Sequence, residues 1–175
     1  EKVMAGGIQS VIKRRLDRVP AMARDLLNCA AVYGRQLDMN IMTHLWKLGK
    51  YTFDLTTWFT LCNEAAVLDV HSGNWQFAHD KLRESLLNEL PIDEKTRIHQ
   101  LVATAIEAVY PNDAVYAEAL AEHWYMAGDG IKTAKYACMA GEQALLVGNF
   151  HGAQTLLGRG LVLLPDTGQE ALQDE

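Results

Sequence analysis

The chain reads as a mainly α protein in two parts: helices closed by one short β-hairpin, and then helices alone. Three observations predict this. Apolar residues recur at helical spacing through most of the sequence. One pair of short runs, Val67 to His71 and Trp75 to Ala78, flanks the turn-forming Ser72-Gly73-Asn74. From His79 onward no further strand signal occurs, and Gly or Pro closes each periodic stretch.

Length and composition fit this reading. A chain of 175 residues with 49% hydrophobic content makes one domain or two small ones around a true core. The net charge of -6, from 22 acidic and 16 basic residues, gives no reason to expect nucleic acid or an anionic membrane as the main partner. Cys29, Cys62 and Cys138 are far apart and have no zinc-site spacing. Each lies among apolar neighbours and is expected to be a buried free thiol, which fits a reducing, cytoplasmic setting. No apolar run approaches the ~20 residues of a membrane span, and no signal peptide is evident. Both ends read as cut points in a longer protein.

In chain order, Ile8, Val11, Ile12 and Leu16 make a short amphipathic helix with Lys13, Arg14, Arg15 and Arg18 outside. Pro20 suits the first turn of a second helix, whose buried stripe is Ala23, Leu26, Leu27, Ala30 and Ala31 and whose end is Gly34. Asp38 is an N-cap for a third, running through Ile41, Leu45 and Leu48 to Gly49. Asp54 or Thr56 caps a fourth that carries Trp58, Phe59, Leu61, Cys62 and Ala65. The hairpin spans about 67–78. Helices followed by one hairpin give the pattern of a winged helix, so residues 1–91 are expected to form a winged-helix module and 92–175 a run of helical hairpins.

In the first of these parts, Leu82, Leu86, Leu87 and Leu90 mark a helix ended by Pro91. In the second, Ile98, Leu101, Val102, Ala105, Ile106 and Val109 mark a longer one stopped at Pro111. Ala114 to Ala127, Ile131 to Val147 and Phe150 to Leu164 follow, closed by Gly128, Gly148 and Pro165. Gly148-Asn149-Phe150-His151-Gly152-Ala153, with Leu157, Gly160, Leu161 and Pro165, resembles the second half of a tetratricopeptide repeat. Ala127-Gly128-Asp129 with Ala134, Tyr136 and Ala137 is a looser copy. Gly160 stands where the repeat usually has alanine.

Motifs for catalysis are missing. There is no G-x-x-x-x-G-K-[ST] phosphate loop, no H-E-x-x-H and no G-x-S-x-G elbow, and Ser10, Ser72 and Ser85 have no evident base. The recognition-position helix, about Thr56 to Ala66, carries Thr56, Thr57, Thr60, Asn63 and Glu64 but no Arg or Lys, which argues against DNA. His79-Asp80 is the sharpest local signal. One reading is a helix start, with Asp80 at the positive helix end and His79 capping or packing under the hairpin. The other is a phosphate sensor, with the histidine donating to an anion. Composition leaves both open.

Several stretches together resemble the winged-helix region of STAND-class NTPases, which are multidomain signal-transduction ATPases. They are Ile12-Lys13-Arg14-Arg15-Leu16-Asp17-Arg18-Val19-Pro20, Leu26-Leu27, Ala30-Ala31-Val32-Tyr33-Gly34-Arg35, Phe77-Ala78-His79-Asp80-Lys81-Leu82-Arg83-Glu84 and Arg97-Ile98-His99. Ala121-Glu122-His123-Trp124, Ala127-Gly128-Asp129 and Ala140-Gly141-Glu142-Gln143-Ala144 continue the likeness, which covers about residues 8–165. The resemblance implies an upstream P-loop core that holds ATP or ADP, then this winged helix, then tetratricopeptide-like repeats that bind a protein or small ligand. His79 matches the family position that contacts the β-phosphate of ADP, and Asp80 its neighbour in a methionine-histidine-aspartate motif; Ala78 replaces the methionine. The chain itself is then expected to be non-catalytic, with no cofactor of its own. Trp124, Tyr125 and Tyr136 are candidates for partner contact on a concave helical surface, with packing between helices as the alternative.

Overall fold

The computed structural model describes residues 2–163. The protein is mainly helical, with one small three-stranded antiparallel sheet. Its chain divides into two compact units, Glu1–Ala105 and Ile106–Glu175. The units part within a helix, not at the expected boundary after residue 91.

The first unit runs α1 (Lys2–Arg18), α2 (Ala21–Tyr33), β1 (Gln36–Leu37), α3 (Met39–Gly49), α4 (Leu55–Glu64), β2 (Leu68–His71), β3 (Asn74–Phe77) and α5 (Asp80–Glu89), and takes in most of α6 (Ile92–Val109). Local chemistry sets the helix ends. The Asp38 carboxylate accepts from the Asn40 and Ile41 N–H groups, and Asp54 from Thr57, so both are N-caps as expected. α4 stops in a Schellman closure: Val67 N–H bonds Cys62 C=O at 2.9 Å and Ala66 N–H bonds Asn63 C=O at 2.8 Å. The residue forced into the left-handed region is an alanine, Ala66, at φ 55°. Gly34 also ends its helix, but in extended conformation; α2 therefore gains no left-handed cap there.

The hairpin turns on Ser72 (φ 52°) and Gly73 (φ 83°), a two-residue turn whose positive φ values match the twist of paired strands. It pairs Leu68 with Phe77, Asp69 with Gln76, Val70 with Trp75 and His71 with Asn74. Leu68 and Phe77 are fully buried, so one face of the ladder closes the core. The one-hairpin expectation is corrected by a third strand. Gln36 and Leu37 pair with Gln76 and Trp75, giving the order β1-β3-β2. Two residues are too few to show any alternation. Beneath the sheet, Leu16, Leu26, Leu27, Ile41, Met42, Trp58, Leu82 and Ile98 are buried. The Trp58 indole N–H keeps a partner there, donating to Ala23 C=O at 3.0 Å.

The second unit holds the end of α6, a 3-10 turn at Ala114–Tyr116, α7 (Ala117–Met126), α8 (Gly130–Leu146) and α9 (Phe150–Leu163); the expected stop at Pro165 lies outside the described residues. One joint is used twice. Gly128 (φ 79°) and Gly148 (φ 76°) each take the left-handed position after a helix. Asp129 N–H then bonds Trp124 C=O at 3.0 Å, and Asn149 N–H bonds Ala144 C=O at 2.8 Å. The same Asp129 and Asn149 side chains cap the next helices, accepting from Lys132 and Gly152 N–H groups. One dipeptide thus stops a helix and starts its antiparallel neighbour. The helices pack through Ala121, Ala134, Ala137, Ala140 and Ala153, whose short side chains allow close approach. Cys29 and Cys62 are buried as expected, whereas Cys138 is exposed. On a helix this rich in alanine, apolar sequence neighbours do not reveal which side faces out.

Candidate functional site

His79 caps α5. Its backbone is extended, and Nδ1 accepts the Lys81 N–H at 3.2 Å. In a neutral imidazole that bond fixes the tautomer and leaves Nε2–H as a donor. The side chain is exposed. Asp80, in the first turn, is also exposed and meets Arg35 at 3.2 Å; with both partners about half exposed, the pair adds little stability. α5 is tied down elsewhere, by Arg83 Nε on Ala31 C=O at 2.7 Å and by buried Leu82 and Leu86. The histidine therefore sits at the start of a fixed helix, directly after the hairpin.

Beside it, α1 and α5 enclose a cavity of about 230 Å³. Val11, Ile12 and Leu82 give it an apolar lining, and Arg15, His79 and Lys81 also line it. Arg15 NH1 donates to Ala66 C=O at 3.3 Å, and Lys81 Nζ meets Glu84 at 2.6 Å. The site combines one N–H donor and two cations with an apolar hollow, a setting that can receive an anionic group carried by a docking partner. Sequence reasoning found His79 and Asp80 but missed Arg15 and Lys81 as their companions, because α1 and α5 are far apart in the chain.

The outward side of α4 carries Thr56, Thr57, Thr60, Asn63 and Glu64, all exposed. Thr60 Oγ1 donates back to Thr56 C=O, and Asn63 Nδ2 to Leu68 C=O. This face has no cation to grip phosphates.

Of the three aromatic contact candidates in the second unit, only Tyr125 is exposed; Trp124 and Tyr136 are buried at 3%. Both converge on a residue that sequence reasoning missed, Glu107. Trp124 Nε1 donates to Glu107 Oε1 at 3.0 Å, Tyr136 OH to the same oxygen at 2.9 Å, and Lys132 Nζ to Oε2 at 3.0 Å. Lys132 also lies 3.8 Å above the Trp124 ring. Burial, then the Glu107 bond, push the Tyr136 phenol up to about 12. Trp124 and Tyr136 are thus packing residues, not contact residues. The open surface of this unit is elsewhere, a groove of about 910 Å³ with Val115, Glu118, Gln143, Val147 and Leu156 along it.

Among the described residues no group of three or more His, Cys, Asp or Glu could hold a metal ion, and no helix is long and apolar enough to cross a membrane. Comparison with protein-family models, with curated proteins and with solved structures finds no match.

Proposed function

We propose that the chain is the non-catalytic regulatory part of a cytoplasmic STAND-type signalling ATPase. A winged-helix module would report the ATP or ADP state of an upstream P-loop core, and tetratricopeptide-like hairpins would bind the partner or ligand that biases it. The observation that carries the reading is His79: exposed, at a helix start, with Nδ1 occupied and Nε2–H free to donate. The element order α2-β1-α3-α4-β2-β3 with sheet order β1-β3-β2 supports a winged helix, and the repeated Gly-Asp/Asn joint supports a hairpin repeat. The coupling is a two-state one: nucleotide and partner favour different dockings of the same module.

The test is ADP affinity and basal activity of the full-length protein with His79→Ala. The reading expects affinity to fall about tenfold, the worth of one charge-assisted hydrogen bond, and basal activity to rise. The alternative is a plain protein-interaction scaffold, favoured by the groove in the second unit and by the capping bond that already gives His79 a structural role. Unchanged affinity together with unchanged activity would leave only that. A DNA-binding role has no cation on α4 to support it.

A further inference from the structure

The first unit contains another cavity, of about 200 Å³, on the side of α2 that faces α3 and α6. Asp25 and Cys29 line it from α2, Leu48 from α3, Tyr51 from the turn that follows, and Arg97 and Leu101 from α6. The wall is shaped by backbone. Lys50 turns the chain through the left-handed region, at φ 49°, and lays the Tyr51 ring across Gly49, where any Cβ would strike the ring. Phe53 stacks on the ring at 5.1 Å.

The charges at this cavity are opposite and not neutralised by each other. No ion pair joins Asp25 to Arg97 among the described residues. Arg97 holds Glu94 through Nε at 3.0 Å and NH2 at 2.5 Å, which leaves its NH1 donors over. The Cys29 thiol in the same lining is raised by burial to about 12, so it is a neutral, unreactive part of it. A carboxylate, a guanidinium edge and a short apolar floor, in a space smaller than a drug-sized pocket, select a small molecule that carries both charges.

We propose that this cavity binds a free aliphatic α-amino acid, its ammonium on the Asp25 carboxylate, its carboxylate on Arg97 NH1 and its side chain over Cys29, Leu48 and Leu101. This does not rest on the nucleotide reading of His79. The test is calorimetric titration of the chain with L-valine, L-leucine and L-methionine, and with N-acetyl-L-leucine and L-leucine amide. At least one free amino acid should bind saturably, at roughly millimolar or tighter. Blocking either charge should weaken binding by about tenfold or more. With Asp25→Asn the N-acetyl penalty should disappear, and with Arg97→Gln the amide penalty. Both side chains are exposed, so the variants keep the fold, and the blocked ligands need no variant at all. No saturable binding of any free amino acid, or equal binding of free and blocked leucine, would overturn the proposal.

Discussion

Glu107 offers the sharpest test of how the helical unit is held together. Its two oxygens have different roles: Oε1 accepts from buried Trp124 and Tyr136, while Oε2 meets Lys132. Glu107→Ala removes both acceptances at once and leaves an indole N–H and a phenol O–H buried without partners. At about 1–3 kcal/mol for each unsatisfied group, the loss is about 2–6 kcal/mol. Lys132 is 40% exposed and returns to water, so its ion pair adds only about 0.5 kcal/mol. Glu107→Gln behaves differently. Its carbonyl can take the Oε1 position and keep both donors, so only the ion pair is lost, at about 1 kcal/mol or less. Urea unfolding followed by circular dichroism measures both variants. Equal losses for alanine and glutamine, or an alanine variant within about 0.5 kcal/mol of the parent, would refute the reasoning.

Two backbone changes should stabilise the protein. A Cβ on Gly160 would stand 3.4 Å from Ala137 Cβ and 3.5 Å from Ala134 O, ordinary contact, so Gly160→Ala should gain about 1 kcal/mol of helix propensity and raise Tm. Ala66→Gly relieves the left-handed alanine of the α4 closure; the relief of about 1–2 kcal/mol, less the chain entropy of glycine, predicts a net gain of about 0.5 kcal/mol in the same assay. The buried thiols set an alkaline limit. Cys29 and Cys62 are both raised by burial from 9.0 to about 12, so the folded state holds protons that the unfolded state releases. Their contribution is complete below pH 9 and is lost as pH rises toward 12, so the urea midpoint should fall across that window. A thiol reagent at neutral pH should modify Cys138 readily and the other two only on unfolding.

What could be read in the chain was what local chemistry dictates. The Asp38 and Asp54 caps, the Ser72-Gly73 turn and the Gly128 and Gly148 stops each depend on a few adjacent residues, and each was legible. Strand β1 was not, because Gln36 and Leu37 gain their conformation only by pairing with Gln76 and Trp75. The candidate site divides the same way. His79 and Asp80 announce a helix start by themselves, whereas Arg15 joins them only through packing of α1 on α5. Glu107 reads in sequence as one more surface carboxylate, and only the fold brings it the three donors of α7 and α8. Trp124 and Tyr136 looked like contact residues for the complementary reason: an aromatic with a polar end can point outward or bury that end against a partner.

The central claim is that His79 reports on nucleotide, and its most direct measurement is the ring resonances of His79 in histidine-labelled full-length protein with ADP and with ATP. The account predicts a displaced His79 Nε2 signal with ADP that moves back with ATP. Identical His79 signals in the free, ADP-bound and ATP-bound protein would contradict it.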